Sequence, residues 1–340
     1  MKIIAFYLPQ FHRLAVNDQN WREGYTEWDN VKTAKSLYKG HEQPRIPYEN
    51  KYYDLENIDV IRWQSKLAKQ YGIYGFCFYH YWFNGNPLME KPLENLLKDP
   101  SIDLRYCLSW ANESWYKKDG FQKELILEQN YGDQSEWEKH CRFLLPYFRD
   151  RRYIRFDGKP VFIIYRPEQI PDLEDMLEYI DKYMCENGVG EICFIYQYFD
   201  YNHRKDKGGQ MFSYGIEYQP AYSKYAQMKT PFMVFKKFLN VLFAQYMSNG
   251  SRLPFLTLNY DTTWKRILRH SPVDEKMIPG AFVNWDNTPR YGLRGSLYYN
   301  YSVEKFENYL KLQIEHAQKD YRQDILFQNI LLSCEIVFCF

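Results

Sequence analysis

The sequence predicts an α/β fold of the (β/α)8, TIM-type barrel class, in which parallel strands alternate with helices. Two observations predict it. Short apolar runs rich in β-branched and aromatic residues recur along the chain, and longer segments with helical spacing separate them. No internal repeat, low-complexity tract or Pro/Gly-rich linker divides the 340 residues. We therefore expect one barrel domain over residues 1–340, a length that such barrels commonly reach.

The apolar runs give the strands in chain order. Seven strands are predicted at residues 3–9, 72–82, 104–110, 160–167, 191–198, 214–220 and 280–285. The only candidate for an eighth strand is "ILFQNILL", residues 325–332. Helices are predicted between them at residues 58–71, 135–148, 171–188 and 302–321, and the third ends at a glycine suited to a C-cap.

The amino-acid composition indicates which classes of molecule the protein binds. The chain has 44 basic and 43 acidic residues, so it lacks the strongly basic balance that binding to nucleic acid requires. Aromatic residues make up 19% of the chain, and aromatic rings with polar edges are good stacking platforms for sugars. The composition therefore favours a carbohydrate partner and argues against nucleic acid.

The cysteines and the hydropathy of the chain indicate the cellular compartment of the protein. The seven cysteines are odd in number, show no CxxC or other metal-ligand spacing, and read as small buried hydrophobic residues in a reducing compartment. No stretch approaches the ~20 apolar residues of a membrane span, and the first residues lack a signal-peptide pattern. We expect a cytoplasmic protein without a metal or cofactor. The amphipathic segment 235–247 is either a barrel helix or a peripheral contact with the inner face of the membrane.

Polar and aromatic residues follow seven consecutive predicted strands. In parallel barrels, sites are built at the carboxyl ends of the strands, so this coincidence favours a wet cleft lined by aromatic rings. The predicted substrate-binding residues are Gln10, His12, Glu27, Trp28, Tyr79, His80, Trp82, Trp110, Asn112, Trp115, Tyr165, Arg166, Tyr198, Trp285, Asp286 and Arg290. Taken singly, His80 and the tryptophans could equally be core residues, and Glu27 could be a solvated loop carboxylate.

Two glutamates are the candidate catalytic residues. Glu113 stands in "CLSWANESW", residues 107–115, and Glu217 ends the sixth predicted strand. A carboxylate among buried aromatic residues must be paired or have a raised pKa, and a raised pKa suits a general acid. The motifs GxGxxG, GxxxxGK[ST], HExxH, GxSxG and DxD are absent, so nothing supports a nucleotide-binding, zinc-protease or serine-hydrolase site.

Several longer motifs resemble a known family. "AFYLPQFH", "GYTEWDNVKTAKSLYKGHEQPRIP", "YGIYGFCFYHYWFNG", "CLSWANESW", "RYIRFDGKPVFIIYRP" and "NWDNTPR" together resemble the WbsX family of bacterial polysaccharide-biosynthesis proteins. That family carries the label glycosyltransferase, and its barrel is similar to that of glycoside hydrolase family 99. The resemblance implies an enzyme of lipopolysaccharide O-antigen or capsule biosynthesis. It places Trp110, Asn112, Glu113, Tyr165, Arg166, Trp285, Asp286 and Arg290 on matching motif positions.

The resemblance fails at the C-terminus. The family carries a motif close to "NAWNEWGEG" on strand 8, and its glutamates are the catalytic pair in the hydrolase branch. This chain instead reads "DILFQNILLSCEIVFCF". The family match is therefore expected over about residues 1–325, followed by a divergent tail at 326–340 of the kind that a frameshift produces. We expect a barrel incomplete at strand 8, with two exposed sheet edges and impaired catalysis.

Three alternatives to that account stay open. This member of the family could use Glu113 or Glu217 in place of the missing pair. The activity could be that of an endo-acting α-glycoside hydrolase rather than a transferase. The chain could also be a glycan-binding module without catalysis.

Overall fold

The computed structural model describes residues 1–119, 122–199, 210–228, 235 and 256–329. Its main sheet is a barrel of parallel strands, which confirms the predicted fold class. The barrel strands are β1 (Lys2–Tyr7), β2 (Ile73–Phe83), β3 (Tyr106–Trp110), β4 (Lys159–Ile164), β5 (Cys193–Tyr198), β6 (Tyr214–Glu217), β7 (Met277–Ile278 and Gly280–Phe282) and β8 (Ile325–Asn329).

The strands pair in the order expected for this barrel, and β7 is divided. Each strand from β1 to β6 pairs with the next, and β8 pairs with β1. The segment Met277–Ile278 of β7 pairs with β6, whereas Gly280–Phe282 pairs with β8. The barrel is thus nearly closed, with one seam where Gly280–Phe282 and β6 form no ladder. A Cβ atom on Gly280 would lie 1.9 Å from the carbonyl oxygen of Glu217, so this close approach requires glycine.

The eighth strand is present over its described length. Ile325–Asn329 pairs in parallel with β1 on one side and with β7 on the other. The expectation of two exposed sheet edges beside strand 8 is therefore wrong along this stretch, because both sides are hydrogen-bonded. The rest of the predicted strand and the divergent tail, residues 330–340, lie outside the described residues.

The four predicted helices are confirmed within one or two residues. The helices are α1 (Ala15–Asn20), α2 (Glu27–Thr33), α3 (Ile58–Gln70), α4 (Lys91–Lys98), α5 (Gln134–Arg149), α6 (Leu173–Glu186), α7 (Ala221–Met228), α8 (Tyr260–Ile267), α9 (Thr288–Tyr291) and α10 (Val303–Lys319). Local caps begin three of the long helices, since the side chains of Asn57, Asp133 and Ser302 accept backbone N–H groups in the first turn. Gly188 follows α6 at φ 73°, as a C-terminal glycine should.

Some elements lie outside the barrel and were not predicted. They are the hairpin Trp115–Asp119 with Gln122–Leu127, the parallel pair Leu256–Asn259 with Ser296–Tyr299, the short strands Asn86–Leu88 and Arg155–Phe156, and 3-10 turns at Tyr48–Asn50, Pro167–Gln169 and Gly292–Arg294. The predicted helix at 235–247 lies outside the described residues apart from residue 235. Within the described ranges, no helix is long and apolar enough to cross a membrane.

Four of the five described cysteines are small buried residues, and the prediction of burial is wrong for Cys185, which lies near the end of α6. Cys77, Cys107, Cys141 and Cys193 are buried and free, whereas Cys185 is exposed. Burial raises the pKa of the Cys193 thiol to about 11. Cys334 and Cys339 lie in the tail outside the described residues. The buried thiols are therefore packing residues, as predicted.

Candidate functional site

Contacts between strands that are not neighbours identify the inner face of the barrel. The ring of Phe6 on β1 lies 5.1 Å from that of Tyr218 after β6, and Asn329 on β8 donates a hydrogen bond to the Tyr218 hydroxyl at 2.9 Å. Ser109 on β3 donates to Gln197 on β5 at 3.2 Å. Such contacts must cross the interior. Because side chains alternate along a strand, their immediate neighbours point outward toward the helices.

Three tyrosines, Tyr79, Tyr165 and Tyr218, line the inner face near the carboxyl ends of the strands. The ring of Tyr79 lies 5.8 Å from that of Tyr165, and its hydroxyl accepts a bond from Gln197 and pairs with that of Tyr218. Burial raises the pKa of Tyr218 to about 12 and the pKa of Tyr165 and Tyr79 well above the usual value. These hydroxyls stay protonated at neutral pH, so they can donate hydrogen bonds to a ligand at the mouth of the barrel.

The Glu113 and Arg166 side chains form the first ion pair at this mouth. Arg166 Nε donates to Glu113 Oε1 at 2.7 Å, and the two side chains are 18% and 38% exposed respectively. The guanidinium also lies over the rings of Phe199 and Tyr165, 4.1 and 5.1 Å from their centroids. Arg166 is therefore held on one side by aromatic faces, and Glu113 remains accessible to a ligand.

Asn112 fixes the position of that pair. Its side-chain oxygen accepts the backbone N–H of Arg166 at 2.8 Å, and its amide donates to the carbonyl of the same residue at 2.8 Å. The hydroxyl of Tyr131 donates to the backbone carbonyl of Asn112 at 2.9 Å. Asn112 is buried, so its hydrogen bonds lock the end of β3 to the end of β4. This geometry explains why an asparagine precedes Glu113.

Glu27 and Arg290 form a second ion pair, from loops 263 residues apart in sequence. Glu27 begins α2 after β1 and is buried, whereas the Arg290 side chain is 34% exposed in α9 after β7. The Asn30 amide donates to Glu27 Oε2 at 3.2 Å. The second pair therefore joins the loop after β1 to the loop after β7.

Tyr81 shows that the two pairs belong to one site. Burial raises its pKa, the positive charge of Arg290 opposes that rise, and the negative charges of Glu113 and Glu27 add to it. Trp115 packs edge-on against Tyr81 with centroids 5.3 Å apart. The mouth of the barrel thus brings two carboxylates, two guanidinium groups and a set of aromatic rings around Tyr81. Carboxylates and phenols can exchange protons with a sugar hydroxyl, and guanidinium groups can hold an anion.

Three predicted substrate-binding residues point away from this mouth. His80, Trp82 and Trp110 alternate with inward residues, so they face α5 on the outside of the barrel wall. His80 Nε2 lies 2.8 Å from His140 Nε2, and the ring of Trp82 stacks on His140 at 4.8 Å. Burial lowers the pKa of His80 to about 3, which keeps the ring neutral. Their predicted place in the central cleft is wrong.

Glu217 is also on the outer face. Its neighbours Ile216 and Tyr218 point inward, and the Glu217 carboxylate accepts the Tyr321 hydroxyl at 2.8 Å. His270 Nε2 lies 3.1 Å from its other oxygen, and the carboxylate is 1% exposed. A carboxylate in this position does not reach a substrate in the mouth. The prediction of a catalytic role for Glu217 is therefore not supported.

Three more predicted residues near the mouth serve the structure. Trp28 is buried and donates its Nε1 hydrogen to the carbonyl of Tyr53 at 2.6 Å. Trp285 donates to the hydroxyl of Ser296 at 3.0 Å and packs against the hydrophobic cluster outside β7. Tyr198 stacks on Tyr196 on the outer face, with centroids 4.1 Å apart. None of these contacts turns the side chain toward the mouth.

Asp286 anchors a loop. Its carboxylate accepts hydrogen bonds from His41 Nε2 and Gln43 Nε2, both at 2.9 Å, and from the backbone of Thr288 at 2.9 Å. Burial alone would raise the pKa of Asp286, but these hydrogen bonds lower it below the usual value. The carboxylate is 2% exposed, so its oxygens serve the loop rather than a ligand. A role in binding substrate directly is not supported.

Gln10 and His12 follow β1 and are buried. The Gln10 Nε2 atom has no hydrogen-bond partner in the described part of the chain. Burial lowers the pKa of His12 to about 4, although the nearby charge of Asp54 opposes this shift.

Tyr81, Tyr218 and Asn329 lie on the inner face near the mouth. Sequence reasoning placed Tyr81 and Tyr218 at strand ends without counting them among the binding residues, and it did not select Asn329. The signal that could have found the tyrosines is spacing by two, since Tyr79 and Tyr81 must share a face of one strand. Asn329 lies in the stretch that departs from the family pattern. Within the described ranges, no group of three His, Cys, Asp or Glu residues is arranged to hold a metal.

Comparison with known proteins identifies the family of this chain and proteins that share its fold. The sequence model of a family described as glycosyltransferase WbsX matches residues 3–330. The proteins described as "Uncharacterized protein WxcX" in two strains of Xanthomonas campestris pv. campestris are 34% identical to this chain over 318 residues. The match covers 92% of this chain and 43% of theirs, so the chain spans less than half the length of these relatives.

Two solved structures share the fold. The GH99 endo-alpha-mannosidase from Bacteroides thetaiotaomicron superimposes with a TM-score of 0.52 at 12% identity, covering 98% of this chain and 86% of that one. A structure described as a glycoside hydrolase-like protein gives a TM-score of 0.52 at 11% identity, covering 99% and 85%. At such low identity the likeness concerns the barrel architecture alone.

Proposed function

Because the chain belongs to the WbsX glycosyltransferase family, we propose that it forms glycosidic bonds during the biosynthesis of a bacterial surface polysaccharide, O-antigen or capsule. Membership of this family supports a carbohydrate-active enzyme. The proposed substrates are a sugar donor and a glycan or lipid-linked glycan acceptor. The proposed location is the cytoplasm, at the inner face of the membrane where such lipid-linked glycans are made.

The observation that carries this proposal is the mouth with two ion pairs around Tyr81. In the proposed reaction the Glu113 carboxylate takes the proton of an acceptor hydroxyl while that oxygen attacks the anomeric carbon of the donor. The bond from the anomeric carbon to the leaving group breaks, and the leaving group departs with the electron pair. Arg166 and Arg290 hold negative charge on the donor, and Trp115 and the tyrosines stack on the sugar rings.

A second candidate is an endo-acting α-glycoside hydrolase. It is favoured by the barrel shared with the GH99 endo-alpha-mannosidase and by the presence of two carboxylates, Glu27 and Glu113, at one mouth. Glycoside hydrolysis commonly uses a pair of carboxyl groups, one as acid and one as base or nucleophile. Water would then take the place of the acceptor hydroxyl.

The test is a product assay with and without a donor. Purified protein is incubated with α-linked manno-oligosaccharides and a set of nucleotide sugars, and the products are read by mass spectrometry. A transferase lengthens the oligosaccharide only when a donor is present, and a hydrolase shortens it without one. Binding without either product supports a glycan-binding module and contradicts both enzyme proposals.

Two variants test in that assay whether Glu113 takes part in the reaction. Glu113→Gln keeps the shape of the side chain but cannot accept a proton, so we expect turnover to fall about 100-fold or more. Glu138→Gln is the matched control, because Glu138 pairs with Arg142 at 2.6 Å on the exposed face of α5. We expect the control to retain full turnover. Equal turnover of both variants would contradict the role proposed for Glu113.

The divergent tail supplies a further comparison. We propose that residues 330–340 limit turnover, because the glutamates of the family's "NAWNEWGEG"-like motif are missing from them. A tail-replaced chain, in which a segment with that motif substitutes for residues 330–340, is expected to react faster than the natural chain. Equal rates would contradict this part of the proposal and would favour the mouth residues as sufficient for catalysis.

A further inference from the structure

A second cavity lies on the other side of the barrel wall from the mouth. We call it the outer cleft. It has a volume of about 300 Å³, which is at the lower end of the range for small-molecule sites. Its main lining residues are Trp82, Trp110, Tyr131, Glu136, Trp137 and His140. It lies between the ends of β2 and β3 and the helices α5 and α6, so it is separated from the mouth by the sheet itself.

Aromatic rings form the walls of the outer cleft and are fixed in place. The ring of His140 lies 4.8 Å from both Trp82, on which it stacks, and Trp110, which it meets edge-on. The Trp137 Nε1 hydrogen bonds to the carbonyl of Tyr131 at 2.8 Å, so this donor is already used. Rigid aromatic faces of this kind offer flat apolar surface to the C–H face of a sugar ring.

Two buried polar atoms in the cleft have unmet hydrogen-bonding capacity. Trp110 is 2% exposed, and its Nε1–H group has no acceptor in the described part of the chain. The Oε2 atom of Glu136 is buried without a donor, whereas its Oε1 atom pairs with Lys139. A buried N–H or carboxylate oxygen without a partner costs on the order of 1–3 kcal/mol. Trp110 and Glu136 both line the cleft, so its wall contains one buried donor and one buried acceptor that lack a partner in the described part of the chain. A hydroxyl group can satisfy either kind.

The charge of the lining selects against anions. Among the described residues that line the cleft there is no lysine or arginine. Burial, together with the neighbouring ring of His80, keeps the pKa of His140 well below its usual value, so this ring is neutral. Glu136 contributes the single ionisable acid. Lys139 beside the cleft is already paired with Glu136, so a phosphate or nucleotide would find no free cation among the described lining residues. A fully apolar ligand would leave Trp110 Nε1 and Glu136 Oε2 without partners.

We propose that the outer cleft is a second binding site, for one neutral sugar ring of a glycan. The ring stacks between the indole faces, one hydroxyl accepts from Trp110 Nε1, and another donates to Glu136 Oε2. Gly85 leaves space for that carboxylate, since a Cβ atom there would lie 3.0 Å from Glu136 Oε2. The proposal does not depend on the chemistry of the mouth. It concerns binding alone and stands whether the enzyme is a transferase or a hydrolase.

The test observes the Trp110 indole directly. Protein labelled with ¹⁵N-tryptophan is titrated with methyl α-D-mannopyranoside, methyl β-D-glucopyranoside, cyclohexanol and inorganic phosphate, and the indole N–H signals are followed by NMR. The Trp110 signal is assigned by its loss in Trp110→Phe. We expect it to shift with at least one of the glycosides and to saturate in the millimolar range, about the affinity available to so small a ligand. We expect no comparable shift with phosphate or cyclohexanol.

Matched variants separate binding from folding. Trp110→Phe and Glu136→Leu each remove one hydrogen bond, so each is expected to weaken glycoside binding about tenfold. Trp264→Phe is the control, because Trp264 is equally buried with an unpartnered Nε1 but packs between Phe282 and Tyr309 in the cluster outside β7. We expect the control to bind normally.

The outcomes that overturn the proposal are distinct from a failure of the proposed function. The proposal of a second site would be overturned if neither glycoside shifted the Trp110 signal, or if phosphate shifted it more than the glycosides do. So would unchanged affinity in both Trp110→Phe and Glu136→Leu. Glu113→Gln is expected to leave the Trp110 shift intact, and loss of the shift in that variant would show that the sugar binds at the mouth instead.

Discussion

The mouth of the barrel and the outer cleft share one wall but differ in charge. On β2, Tyr79 and Tyr81 face the mouth, and the alternate residues His80 and Trp82 face α5 and the outer cleft. The mouth adds two Arg–Glu pairs to its aromatic rings. The outer cleft adds neutral imidazoles and one carboxylate at its edge. Aromatic residues therefore lie on both sides of the strand. The charged groups distinguish the mouth, the proposed reaction site, from the outer cleft, the proposed binding site.

The difference follows from how each region satisfies its polar groups. At the mouth, Asn112 and the guanidinium groups hold the carboxylates while leaving Glu113 accessible. Behind the wall, burial makes the charged forms of His80 and His140 unfavourable, so these rings pair with each other as neutral groups. Polar residues on the two sides of one sheet thus have different protonation behaviour. Variants that alter only one side of the sheet at a time separate the two regions.

The largest effect is expected from breaking the first ion pair at the mouth. Arg166→Leu removes the guanidinium that donates to Glu113 at 2.7 Å and would leave that carboxylate without its cation. We expect kcat/KM to fall about 100-fold, which corresponds to about 2.7 kcal/mol of lost transition-state stabilisation. The measurement is steady-state kinetics on whichever glycan reaction the product assay detects.

The control for that prediction is the matched pair on the helix surface. Arg142→Leu breaks an ion pair with Glu138 of similar geometry, 2.6 Å, on the exposed side of α5. Exposed pairs contribute little, so kcat/KM should be unchanged. A similar loss in both variants would mean that the Arg166 effect is a general consequence of removing charge, and the role assigned to the mouth would be wrong.

On the outer side of the sheet, buried His80 is expected to lower the stability of the protein at acidic pH. The pKa of His80 is lowered by burial to about 3 in the folded protein, against about 6.5 in an unfolded chain. Between these values the unfolded chain binds the proton and the folded protein does not, so stability falls as pH falls. For this one histidine the loss is about 2 kcal/mol between pH 7 and pH 5, measured as the free energy of unfolding in urea.

Replacing both His80 and His140 isolates their effect on the pH dependence of the free energy of unfolding. The double variant His80→Phe/His140→Phe removes both buried imidazoles, and its stability should change less between pH 7 and pH 5 than that of the natural chain. His316→Gln is the comparison, because His316 is only partly buried although its pKa is also lowered by burial. It should retain most of the pH dependence. An unchanged slope in the double variant would contradict the neutral pair behind the wall.

A smaller effect is expected from the residue that links the strand ends. Asn112→Ala leaves the backbone N–H and carbonyl groups of Arg166 without their 2.8 Å partners. We expect the free energy of unfolding to fall by about 1.5 kcal/mol, as for other buried hydrogen bonds left unmade. Asn95→Ala is the control, because its amide makes one exposed hydrogen bond to the carbonyl of Glu56. Equal losses in the two variants would contradict the positioning role of Asn112.

The order of strands and helices could be predicted from the sequence because hydrophobic periodicity reports local structure directly. The runs at β2 and β4, for example, are found within one to three residues of their predicted limits. Glu113, Arg166 and Arg290 were expected at one edge of the barrel because the ends of parallel strands share that edge, and the structure places them after β3, β4 and β7. Their roles in catalysis and binding stay predictions.

The face of each residue could not be predicted in the same way. An alternating run specifies two faces but not which of them points inward, and both faces of β2 are aromatic and buried. His80, Trp82 and Glu217 were therefore assigned to the wrong side. The pairing of Glu27 with Arg290 joins loops 263 residues apart, and no local pattern encodes such a contact.

The most direct test of the account compares the two glutamates proposed from sequence as catalytic, Glu113 at the mouth and Glu217 on the outer face. Turnover per folded molecule and the free energy of unfolding are measured for Glu113→Gln and Glu217→Gln, in the natural chain and in the tail-replaced chain. We expect Glu113→Gln to lose turnover about 100-fold with little change in stability. Glu217→Gln should lose stability and keep its turnover, because its carboxylate bonds to Tyr321 behind the wall. The reverse pattern would show that the reacting site lies outside the barrel and would contradict the account.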